Sequence, residues 1–107
     1  MKLILTIVNK DDAIEVQSGL TKDGFTVTKL ATTGGFLLAG NTTLIIGVDD
    51  DRVDAVLAVI EKFSKKRTQM MPTTSNYMGG VYNSFPVEVT IGGATIFVLD
   101  VDQFKKI

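Results

Sequence analysis

The chain carries one plan twice: a β-branched apolar run, a segment with apolar residues at helical spacing, and a second β-branched run. The first copy opens on Lys2-Leu3-Ile4-Leu5-Thr6-Ile7-Val8, continues with Ala13, Val16, Gln17 and Leu20 on a helical period, and ends on the largely alternating Phe25 to Leu30. Asp12 followed by Glu15 predicts a capping box for that helix, and Asp23-Gly24 predicts its stop. The second copy opens on Thr42 to Val48. Asp49-Asp50-Asp51 then leads into a helix with the apolar stripe Val53, Val56, Leu57, Ile60 and Phe63. Lys62, Lys65, Lys66 and Arg67 crowd the end of this helix, where the dipole favours cations. From Thr68 to Phe85 the pattern dissolves into a polar segment, predicted to be a long loop of the functional or mobile kind. After Pro86, the runs Val87 to Ile91 and Ala94 to Leu99 flank Gly92-Gly93, whose type and spacing predict a hairpin with a two-residue turn.

Strands and helices in this order are the signature of the split β-α-β arrangement. The expected fold is therefore α+β: a ferredoxin-like βαββαβ sandwich with an added C-terminal hairpin. Two helices would cover one sheet face and leave the other, rich in threonines and aliphatics, for subunits to bury. At 107 residues with 45% apolar content the chain suits one domain over residues 1–107, and a mean hydropathy of +0.26 implies apolar surface left for a partner copy. The last residues, with Val101 and Phe104, are expected as a short terminal helix or an interface tail.

The net charge of -1 argues against broad electrostatic binding to nucleic acid or to an anionic membrane. The apolar N-terminal run is too short to span a membrane and lacks a cleavage site, so a cytoplasmic protein is expected. With neither histidine nor cysteine, the commonest general base and the strongest nucleophile are missing, which points away from an enzyme. Asp49-Asp50-Asp51 could hold a hard cation, but acids are favoured at a helix start without any metal, and no metal site is assigned.

Most distinctive is Thr32-Thr33-Gly34-Gly35-Phe36-Leu37-Leu38-Ala39-Gly40-Asn41-Thr42-Thr43. Gly35 to Thr42 has the spacing of a phosphate-binding P-loop, with asparagine in place of its lysine. A P-loop opens a helix, whereas Gly40 here opens a strand, so triphosphate hydrolysis is rejected. Two readings remain open. Glycine amides, the flat surface of Phe36 and Leu37, and the polar Asn41 suit one wall of a nucleotide pocket. The same composition suits a tight turn whose apolar residues plug a subunit interface.

The run Thr28-Lys29-Leu30-Ala31-Thr32-Thr33-Gly34-Gly35-Phe36-Leu37, then Ala39-Gly40-Asn41-Thr42-Thr43, Gly47-Val48 and Asp50-Asp51-Arg52-Val53-Asp54, resembles the PII-like cyclic di-AMP receptor proteins of bacteria. Pro86-Val87-Glu88-Val89 and Gly92-Gly93-Ala94-Thr95-Ile96-Phe97-Val98 extend the likeness over nearly the whole chain. The resemblance implies a PII-like homotrimer with cyclic di-AMP in clefts between subunits, no enzymatic activity and no other cofactor. It also implies loops around Gly34 to Gly40 and Thr68 to Phe85 that answer the ligand and engage an unidentified protein target. Carried over by residue, Thr28 would meet a phosphate, and the amides of Gly35, Phe36 and Leu37 would approach the ligand. Asn41 would read an adenine edge or fix the loop, Gly47 would allow close backbone approach, and Phe36 and Phe97 would contact the bases. Thr26 joins this set, although it and Leu38 are neutral where ligand-binding members often carry arginine. Each assignment has a plainer rival: a strand threonine for Thr28, a bulge for Gly47, and a core residue for Phe97. Strand alternation turns Lys29 to the face opposite Thr28. The alternatives are a sensor of another adenine nucleotide or anion, and a structural trimer with no nucleotide ligand.

Overall fold

The computed structural model describes residues 1–30, 40–72 and 86–107. In chain order the elements are β1 (Lys2–Asn9), α1 (Lys10–Lys22), β2 (Val27–Leu30), β3 (Asn41–Val48), a 3-10 turn (Asp50–Arg52), α2 (Val53–Ser64), β4 (Arg67–Pro72), β5 (Pro86–Ile91) and β6 (Ala94–Asp100). Two antiparallel sheets result: four strands in the order β2-β3-β1-β6, and a separate ribbon of β4 and β5.

Period-2 alternation in β1 and β3 decides which face is dry. Ile4, Thr6 and Val8 of β1 are buried, as are Leu44, Ile46 and Val48 of β3. The register places Ile4 opposite Ile46 and Thr6 opposite Leu44, so these residues share one face. Helix α1 supplies Ala13, Val16 and Leu20 to the same core, α2 supplies Val56 and Ile60, and Phe25 closes its edge. Each fully buried aliphatic of this kind is worth roughly 1.5–3 kcal/mol, which makes the helix-covered face the main source of cohesion.

Three expectations are corrected. The first helix begins at Lys10, capped by Asn9, whose side chain accepts from the Asp11 amide at 2.9 Å. Asp12 is not the cap, because its buried carboxylate is taken by Arg67 at 2.8 Å, 55 positions away. Second, the strand expected from Phe25 begins at Val27. The Phe25 ring is drawn into the core instead.

Third, Gly92-Gly93 does not join a hairpin. β5 pairs with β4, from Arg67 opposite Ile91 to Pro72 opposite Pro86, and a strand therefore occupies the start of the expected loop. β6 pairs with β1, from Lys2 opposite Asp100 to Val8 opposite Ala94. Both glycines do adopt the positive φ that such a turn needs, +87° and +85°. The bend they make carries the chain from one sheet to the other, with the Gly93 amide donating to the Ser64 carbonyl at the end of α2. The free edge of β1 offers β6 a ladder over its whole length, and that is the pairing it takes. The added piece is thus a ribbon inserted between α2 and the last sheet strand. The four-stranded order is compatible with the expected sandwich. Residues 101–107 hold no helix, though the Val101 amide donates to the Met1 carbonyl at 3.2 Å.

Candidate functional site

The sheet face away from the helices carries most of the sequence-predicted site residues that the structure describes. Register aligns Thr28 with Ile45, Ile45 with Leu5, and Leu5 with Phe97, so these four form one row across β2, β3, β1 and β6. The next row runs from Gly47 through Leu3 to Leu99. Phe97 is 52% exposed and Leu99 46% exposed, so Phe97 is not the core residue that its plainer rival would make it. Lys29 stands opposite Leu44, on the helix-side parity, and Thr28 opposite Ile45, as alternation predicts.

Thr28 and Phe97 sit on opposite edges of this sheet, three strand spacings apart, or roughly 14 Å. Thr26 and Gly47 do come together, in a depression of about 170 Å³ shared with Phe25, Asp49 and Arg52. A Cβ added at Gly47 would meet nothing within 4 Å among the described residues, so its backbone lies open to close approach there. Asn41 opens β3 opposite Asn9, some six residues or roughly 20 Å along the strand from Gly47. It lines a different depression, of about 400 Å³, with Asn9, Lys66, Gly92 and Gly93. Gly35, Phe36, Leu37 and Leu38 lie outside the described residues. Gly40 leads into β3 and not into a helix, which removes the geometry a P-loop requires. Its carbonyl accepts from the Lys10 amide at 2.6 Å, tying the start of β3 to the start of α1.

Two cations in these depressions escaped the sequence reading. Arg52 appears there only within the family-like run Asp50-Asp51-Arg52-Val53-Asp54, and Lys66 as a complement to the helix dipole. In the fold, the Arg52 guanidinium lies 4.3 Å from the centroid of the Phe25 ring and donates to the Asp23 carbonyl at 3.4 Å. The N-terminal amine is 2.9 Å from Asp50 and holds that carboxyl below its ordinary value. Lys2 pairs with Asp100, whose hydrogen bond raises the lysine pKa. Arg67, raised likewise by its bond to Asp12, also donates to the Lys65 carbonyl at 3.2 Å and so pins the root of the ribbon to both helices. No group of histidine, cysteine or carboxylate side chains suited to a metal occurs among the described residues, and none of their helices is long and apolar enough to cross a membrane.

The chain is similar to a solved structure, that of a functionally unknown protein from Pediococcus pentosaceus ATCC 25745. The two are 40% identical with a TM-score of 0.76, and the match covers 99% of this chain and 96% of that one. The model of the cyclic-di-AMP receptor family matches residues 1–107, which is the whole sequence, and the chain belongs to that family.

Proposed function

We propose that the protein is a non-enzymatic receptor that binds cyclic di-AMP in clefts between the subunits of a PII-like homotrimer and, through ligand-dependent loops, regulates a protein partner in the cytoplasm. The observation that carries the reading is the scatter of site residues over one exposed sheet face. Thr26 and Gly47 lie in one depression, Asn41 in another and Phe97 on the far edge, too distant to enclose one small ligand within one chain. A site completed by a neighbouring copy resolves that distance, and the exposed Phe97 and Leu99 supply apolar surface for the neighbour to cover. In this arrangement Thr26, Thr28 and Gly47 of one chain face ligand together with Gly35, Phe36, Leu37, Asn41 and Phe97, not all contributed by one subunit.

Isothermal titration with cyclic di-AMP, cyclic di-GMP and ATP, alongside sedimentation equilibrium, tests the proposal. Heat with cyclic di-AMP and a threefold mass are expected. A preference for ATP would assign the site to another adenine nucleotide, a reading favoured by the neutral Thr26. Heat with none of the three would leave only the structural trimer. Asn41→Ala and Phe36→Ala should weaken binding with the trimer intact.

A further inference from the structure

We propose that Arg52 is a ligand-binding residue, supplying the cationic contact to a phosphodiester of the nucleotide at the Thr26–Gly47 depression. The inference rests on the receptor function proposed above. A cyclic dinucleotide brings two phosphodiester charges to a chain whose own net charge is -1, so local cations must hold it. Thr26 and Gly47 are neutral, and Asp49, which shares their depression, repels an anion. Met1 also lines this depression, but its N-terminal amine is engaged by Asp50. Arg52 remains.

Its side chain is placed for the task. One face of the guanidinium rests on the Phe25 ring, which is only 5% exposed and therefore a fixed platform. The bond to the Asp23 carbonyl uses one nitrogen, and among the described residues Arg52 has no carboxylate within ion-pair distance. It stands at the N-cap position of α2 yet makes no side-chain capping bond. The other N–H groups of a planar, stacked fork are thus available at little entropic cost, beside the open backbone of Gly47.

A merely structural arginine would shield Phe25 and do no more, and the substitutions separate the two roles. Arg52→Met keeps an apolar cover over the ring and removes the charge, Arg52→Gln removes the charge with a polar chain, and Arg52→Lys keeps the charge without the fork. Each is titrated with cyclic di-AMP at low and high salt, and melted without ligand. The expected result is a weakening of about tenfold or more in Arg52→Met and Arg52→Gln, with a smaller loss in Arg52→Lys. The salt dependence of affinity should flatten in the two uncharged variants. If wild type binds and both uncharged variants bind as tightly, whatever their melting temperatures, Arg52 has no part in the site and the receptor function stands. If wild type does not bind, the receptor function fails and this assignment with it.

Discussion

Alanine at Gly92 and alanine at Gly93 should differ in cost, although the two residues are adjacent and share a backbone conformation. Their φ angles are +87° and +85°, so either substitution forfeits roughly 1–2 kcal/mol to left-handed backbone geometry. The surroundings then separate them. A Cβ on Gly92 would stand 2.7 Å from the Lys65 carbonyl oxygen, 2.9 Å from Arg67 Nη1 and 3.3 Å from the Ser64 carbonyl oxygen. On Gly93 the nearest atom is Lys66 Cγ at 3.3 Å, part of a flexible chain that can move aside. The carbonyls above Gly92 cannot yield as easily, because that of Lys65 accepts from Arg67 and that of Ser64 from the Gly93 amide. Relief requires the end of α2 to shift against the junction, an overpacking cost of about 1–3 kcal/mol. Gly93→Ala should therefore lose about 1–2 kcal/mol and Gly92→Ala about 2–5 kcal/mol in urea unfolding at matched protein concentration. Equal losses, or a larger loss at Gly93, would mean that Gly92 does not pass beneath the last carbonyls of α2 and would refute the sheet-to-sheet junction.

Gly47→Ala fills open space in a strand and should raise stability by about 0.5–1 kcal/mol while weakening cyclic di-AMP binding; unchanged titration heats would remove Gly47 from the site. Thr6 is fully buried with no partner for its hydroxyl among the described residues, so Thr6→Val should stabilise by about 1 kcal/mol or more, raising the melting temperature; a lower one would show that the hydroxyl is satisfied. Asp50 has a folded-state pKa depressed by the N-terminal amine, so its contribution is present above the ordinary 3.8 and lost as pH falls through the lower folded value. Asp50→Asn should lower the melting temperature slightly at neutral pH, with the gap to wild type closing in acid and in high salt; a gap that persists in acid rejects the pairing.

Much of the fold is legible in the sequence because it is written in short-range periodicity. Alternation at Ile4, Thr6 and Val8 marks a half-buried strand, and the stripe Val53, Val56 and Ile60 marks the covered face of a helix. The positive φ of Gly92 and Gly93 was equally legible, since two adjacent glycines between strand-like runs announce a left-handed bend. Local pattern cannot say what a bend joins. That is settled by which strand edge is free, and β1 offers β6 a full ladder while β4 takes β5.

The candidate site divides on the same line. The alternation that turns Thr28 away from Lys29 is legible, because side chains alternate along a strand, whereas the pairing register decided that Thr28, Gly47 and Phe97 share one sheet face. That Phe97 stands exposed at the far edge, that Asn41 shares a depression with Lys66, and that Arg52 stacks on Phe25 beside Thr26 all depend on segments folding together from distant parts of the chain. Asp12 shows the same limit: its spacing to Glu15 describes a capping box, yet burial beside Arg67 outcompetes the cap. The sequence by itself determined both helices, the strands other than β4, and the family. The tertiary structure decided how the strands pair and which charges meet, because those contacts join residues whose separation along the chain leaves no periodic trace.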